Sequence, residues 1–169
     1  MNVAASVLVP VAEYLSHTYH PDREFVEGVL LERNVGEIGH GNTQTRIAAY
    51  VIVHEPAFWA SVEIRVQLRP DRFRVPDVVI VRGAMPEGRI ITAPPEVAVE
   101  VLSPEDRAGA TKSKAAEYLE FGTSCVWVID PVTRRAFIHT AAGSHEVTDG
   151  LLRNPAADLS VPLSFIFGS

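Results

Sequence analysis

Two carboxylates stand where carboxylates are costly. Asp77 follows a proline and opens the apolar run VVIV, and Glu100 lies inside VAVEVLS. An ionised side chain in such a segment needs a partner, because a buried charge without one is strongly unfavourable. If the two runs are neighbouring strands, the pair can bind a divalent cation through oxygen. Mg²⁺ accepts one or two protein carboxylates and keeps water and substrate phosphate as its other ligands. The chemistry this serves is phosphodiester hydrolysis. On these residues alone an alternative stays equally open, with Asp77 capping a strand and Glu100 pairing with an arginine.

The elements that must position these groups can be read from pattern. Pro10 followed by VAEYLSH predicts a short opening helix, since proline is tolerated in a first turn. EFVEGVLLER carries Glu27-Gly28 between two apolar arms and predicts a tight β-hairpin, with Glu24 on its first arm and Glu27 in the turn. The Gly-rich VGEIGHG reads as a loop containing His40. NTQTRIAAYV then reads as a helix capped by Asn42, with Ile47, Tyr50 and Val51 on one face. Four β-rich runs follow: WASVEIRVQL, FRVPDVVIV, PEVAVEVLS and SCVWVIDP. Three are nearly continuous in Val, Ile and Leu, as suits central strands covered on both faces. TKSKAAEYLEFG between the last two has helical periodicity through Ala115, Tyr118 and Leu119 and stops at Gly122, so a strand–helix–strand unit is expected. RRAFIHTAA reads as an edge strand, and the tail offers turns and then VPLSFIF.

Composition bounds the rest. The chain has 169 residues, 47% hydrophobic and 21% charged, which predicts one soluble globular domain over residues 1–169. No stretch has the length and apolarity of a membrane span, and the apolar N-terminal run lacks a basic leader and acquires Glu13, so a cytoplasmic location is expected. Cys125 is alone and reads as a core residue; no cysteine pair exists to build a zinc site. The formal charge of −6 opposes nonspecific phosphate binding. Arg65, Arg69, Arg72 and Arg74 nevertheless cluster in one segment, as a phosphate-contacting face or a solvated strand. His17 and His20 lack the further ligands zinc requires. No Gly-x-Ser-x-Gly elbow surrounds a serine, and Ser103-Pro104 reads as a helix-initiating turn. Trp59 and Trp127 read as core residues of strands.

The pieces REFVEGVLLERNVGE, FRVPDVVIV, PPEVAVEVLSPEDR and KAAEYLEFGTSCVWVIDP, taken together and in order, resemble the Uma-type family of restriction endonucleases in the PD-(D/E)xK nuclease superfamily. The resemblance covers roughly residues 10 to 140. It implies a mixed β-sheet flanked by helices, a restriction-endonuclease-like α/β core preceded by a helix and a hairpin. It also implies Asp77 and Glu100 as metal ligands, with the backbone carbonyl of Val101 as a third. The superfamily lysine two residues after the glutamate is absent, since Leu102 stands there. In the Uma-type pattern a helix lysine four before a tyrosine takes that role. Lys114 matches it, with Lys112 as competitor. Glu24 matches a family glutamate in the hairpin, to complete the acidic site directly or through water.

The function this implies is a metal-dependent endonuclease hydrolysing DNA with Mg²⁺ or Mn²⁺, Lys114 orienting or deprotonating water or neutralising charge on phosphate. A homodimer would match the two strands of a duplex, and no membrane partner is expected. Two other readings use the same residues: a noncatalytic nucleic-acid- or protein-binding module on the nuclease fold, and a phosphoesterase acting on a small nucleotide.

Overall fold

The Val- and Ile-rich runs form the middle of a mixed sheet in the computed structural model, which describes residues 8–33, 36–104 and 108–168. The chain opens with helix α1 (Val11–Ser16) and the hairpin β1 (Arg23–Val26) and β2 (Val29–Glu32). It continues through α2 (Ile38–His54), β3 (Phe58–Val62), β4 (Val66–Arg69), β5 (Arg72–Arg74), β6 (Val78–Arg82) and β7 (Val97–Val101). After α3 (Ala108–Phe121) come β8 (Cys125–Asp130), β9 (Arg135–Thr140), β10 (Gly143–Glu146), β11 (Leu151–Asn154), β12 (Leu159–Pro162) and α4 (Leu163–Phe167). The leader reading before Leu8, Asn34-Val35, and Glu105 to Arg107 of the PPEVAVEVLSPEDR motif lie outside the described residues.

A six-stranded sheet runs in the order β10-β9-β8-β7-β6-β3. β7 and β8 pair in parallel, with α3 as their crossover, and the other neighbours are antiparallel. Every residue of β7 is buried because helices cover both faces. Val97, Val99 and Val101 pack with Ile47 and Val51 of α2, while Ala98, Val126 and Val128 pack with Ala115 and Tyr118 of α3. α3 ends at Gly122, whose φ of +109° suits glycine; a Cβ there would also meet Pro94 Cγ at 3.2 Å.

A second, four-stranded antiparallel sheet, β2-β1-β5-β4, carries α1 on a cluster of Tyr14, Phe25 and Phe73. Its hairpin turns at Glu27-Gly28 with φ of 50° and 88°, as the sequence predicts.

Two expected strands are each broken in the middle. WASVEIRVQL turns at Glu63, whose φ is 54°, into β3 and β4. FRVPDVVIV breaks around Pro76, which has no N–H for a ladder, into β5 and β6. In both cases the halves belong to different sheets, so the chain crosses between sheets beside Asp77. Helix α2 starts at Ile38, ahead of the expected cap Asn42, whose Oδ1 accepts instead from Arg46 Nε at 3.4 Å. Gly39 and Gly41 hide that first turn from a propensity reading. β9 is interior; the edge strand beyond it is β10, whose largely exposed GSHE has no apolar alternation to announce it.

Candidate active site

Strand register brings the two carboxylates together. Val78 lies opposite Val99, and Asp77 N–H donates to the Val99 carbonyl at 2.9 Å, so one further step along the ladder sets Asp77 opposite Glu100. Directly opposed residues of an antiparallel pair share a face. Both carboxylates therefore extend the apolar stripe of Val79 and Ala98 to the strand ends. There it opens into a cleft of about 370 Å³ lined by Glu24, Arg33, His40, Arg74, Val101 and Lys114, among others.

Asp77 is 4% exposed and accepts from every side. Its Oδ1 takes Arg33 Nη2 at 2.7 Å and Gln44 Nε2 at 3.1 Å; its Oδ2 takes the Val101 N–H at 2.6 Å and faces His40 Nε2 at 3.4 Å. Burial works against its charge, but His40, then Arg33 and the Val101 N–H, outweigh burial and hold the carboxyl below its ordinary range. The same contact with Asp77 raises the His40 pKa against the opposing effect of burial.

Glu100 is held differently. Its Oε1 accepts from Tyr118 Oη at 3.1 Å and its Oε2 from Lys114 Nζ at 3.3 Å. Burial is the largest influence and pushes its carboxyl up to about 7; the Lys114 charge opposes this, and the charges of Asp77 and Glu24 add to it. Lys114 also reaches Glu24 Oε1 at 3.1 Å. Burial disfavours the ammonium, yet Glu100 and Glu24 together lift its pKa above the ordinary lysine range, so Lys114 is a fixed cation.

Glu24 is itself anchored. Its Oε2 accepts from Arg74 Nη1 at 2.7 Å and its Oε1 from the Val75 N–H at 3.3 Å. Arg74 gives its other donors to Glu117, Nε to Oε2 at 2.8 Å and Nη2 to Oε1 at 2.9 Å. Arg74→Ala would leave Glu24 buried beside a void and is expected to lower the unfolding free energy by roughly 3 to 5 kcal/mol, read by urea denaturation. A loss below about 1 kcal/mol would mean that Arg74 neutralises nothing of consequence.

Of the residues singled out from sequence, Asp77, Glu100, Glu24, Lys114 and Val101 line one cleft. Lys112 points elsewhere: it is exposed and lies toward His139, whose pKa burial and then the Lys112 charge depress. The four arginines of the EIRVQLRPDRFRVPD segment are each paired with carboxylate. Arg65 meets Asp22 at 2.7 Å, Arg69 and Arg72 meet Glu27 at 3.3 and 2.7 Å, and Arg74 closes the ladder at Glu24.

Arg33, His40, Gln44 and Tyr118 complete the cleft's polar lattice and were not legible as site residues. His40 sits in the first turn of α2, where a loop was expected. A usable signal existed: His40 and Gln44, and likewise Lys114 and Tyr118, are four residues apart, which places each pair on one helix face.

Among the described residues no helix is long and apolar enough to cross a membrane. No curated protein matches the chain significantly. Among solved structures, a protein from Anabaena variabilis described as a "putative nuclease belonging to DUF820" superposes with a TM-score of 0.78 at 20% identity, over 94% of this chain and 98% of that one. At that identity the likeness establishes a shared mixed α/β fold. Residues 11–165 match the Uma2 family, described as "Putative restriction endonuclease", and the chain belongs to that family.

Proposed function

We propose that this protein is a metal-dependent endonuclease that hydrolyses phosphodiester bonds of DNA. The observation that carries this reading is the meeting of Asp77, Glu100 and the Lys114 ammonium in one open cleft at the end of the central strands.

The donor set suits a hard divalent cation. Among the described residues no three acids or histidines converge into a cage. The protein would therefore offer the carboxylates of Asp77 and Glu100 with the Val101 carbonyl, the small oxygen set that Mg²⁺ or Mn²⁺ accepts alongside water. Glu100 adds a second sign of fit: a carboxyl raised first by burial and further by the charges of Asp77 and Glu24 is one that a cation would relieve. Bound there, a divalent ion supplies Lewis-acid polarisation of a phosphate and a water of lowered pKa.

The chain's own groups divide the remaining work. Lys114 keeps its proton, so it is unsuited to take one from water; its Nζ can orient water or neutralise charge developing on phosphate oxygens. Glu24 has its oxygens engaged by Arg74, the Val75 N–H and Lys114, so it acts as a positioning residue that holds Lys114 toward Glu100. Tyr118 fixes the other oxygen of Glu100.

One observation favours a noncatalytic binding module instead, namely that Asp77 already has a full set of protein donors. Incubating the protein with supercoiled plasmid and single-stranded DNA, with Mg²⁺ or Mn²⁺ and with chelator, separates the two. Cutting that requires metal supports the nuclease. Stable DNA binding with no cutting under any metal would move the assignment to the module.

A further inference from the structure

Four donors converge on Asp77, about as many as a carboxylate can accept. Val101 N–H and His40 sit on Oδ2, so a cation can gain Oδ1 only if Arg33 or Gln44 leaves. The Val101 N–H is fixed in β7, and Gln44 is buried on α2 with a second tie to Glu63 Oε1 at 3.3 Å. Arg33 stands apart. It follows the end of β2, and its guanidinium forms part of the wall between the catalytic cleft and a second cavity of about 420 Å³ lined by Tyr19, Asp22, Glu63 and Arg65 among others. Its Nη1 already faces Glu63 Oε1 at 3.5 Å on that far side, where Glu63 is half exposed. The guanidinium thus has a second anion and open space beside it.

We propose that Arg33 is the resident counter-cation of Asp77: it occupies Oδ1 until a divalent ion takes the carboxylate, and the released guanidinium then binds a substrate phosphate at the boundary of the two cavities. This rests on the nuclease reading above. Both ends of the exchange follow from charge and shape. Asp77 is too buried to remain ionised without a cation beside it, so Arg33 stabilises the metal-free site. A guanidinium presents paired planar donors that match phosphate as well as carboxylate, so its displacement supplies a ligand for the substrate. Metal and Arg33 compete for one oxygen, which makes their occupancies of Asp77 negatively coupled.

Calorimetric titration of Mn²⁺ without DNA reads that coupling, comparing the wild type with Arg33→Met and Arg33→Gln. Both variants are expected to bind Mn²⁺ roughly tenfold more tightly, within the usual range of site-to-site coupling. They should bind DNA more weakly in Ca²⁺, followed by fluorescence anisotropy. Unchanged or weaker Mn²⁺ affinity in a variant with a cooperative melting transition would overturn the proposal and leave the nuclease reading standing. No Mn²⁺ binding by the wild type or either variant would overturn both. Binding by the variants alone would support the exchange, with Arg33 dominating the native site. Should neither variant fold, a crystal structure of the wild type grown with Mn²⁺ decides. Arg33 clear of Oδ1 and a metal at Asp77 support the exchange, and Arg33 still bonded to Oδ1 beside the metal refutes it.

Discussion

Glu100→Gln is expected to lower metal-dependent cleavage by about a thousandfold or more while making the metal-free protein more stable above neutral pH. The two effects have one source. Glu100 is a carboxyl held among buried apolar side chains, with its pKa raised from 4.5 to about 7, burial being the largest cause. A carboxyl whose folded pKa exceeds its unfolded value holds its proton more tightly when folded. Below the unfolded value both states are protonated and nothing is lost. Between about 4.5 and 7 the folded state is progressively penalised, and above 7 the penalty is complete, on the order of 3 kcal/mol. Glutamine keeps the shape, with its one amide oxygen able to accept from Lys114 while its amide N–H donates to the Tyr118 hydroxyl, and it never ionises. Urea unfolding in chelator at pH 8 should therefore find Glu100→Gln the more stable protein, with the difference shrinking toward zero as pH falls to 4.5. A variant less stable than wild type at pH 8 would show that the Glu100 charge is repaid by Lys114 in full.

Lys114→Met is expected to lower cleavage by about a hundredfold to a thousandfold without weakening Mn²⁺ binding. Lys114 Nζ lies 3.3 Å from Glu100 Oε2 and 3.1 Å from Glu24 Oε1, so it is a cation that a phosphate entering the cleft would meet beside Glu100. Its removal takes positive charge away from the proposed ligands, so metal affinity should stay level or rise while the rate falls. Lys112→Ala serves as the control, because Lys112 is exposed on the far side of α3 and should leave both quantities unchanged. A loss of rate matched by an equal loss of metal affinity would recast Lys114 as a structural brace for Glu100.

The strand–helix–strand unit and the opening hairpin were legible because each is specified locally. Gly28 and Gly122 carry their own conformational demands, and the valine runs of β7 and β8 announce burial on both faces. The breaks at Glu63 and Pro76 were missed because both runs keep their β propensity across the break. What divides them is which of two sheets each half joins, a tertiary choice with no local period.

The site divides the same way. Asp77 and Glu100 stood out as charges inside apolar strands. Arg33 and Gln44 did not, since Arg33 ends a hairpin and Gln44 sits in an ordinary helix, and they meet Asp77 across 44 and 33 residues of chain. The arginine segment left two readings open for a related reason: its carboxylate partners, Asp22, Glu24, Glu27 and Glu117, lie on α3 and on or beside the hairpin β1–β2, so the pairing of these arginines within the chain has no local signal.

The central claim is that Asp77 and Glu100 together hold a divalent cation. Titration of Mn²⁺ into wild type, Asp77→Asn and Glu100→Gln, each checked for a cooperative melting transition, tests it most directly. The account predicts saturable binding by the wild type and its loss in both variants. Wild-type affinity retained in both would contradict it.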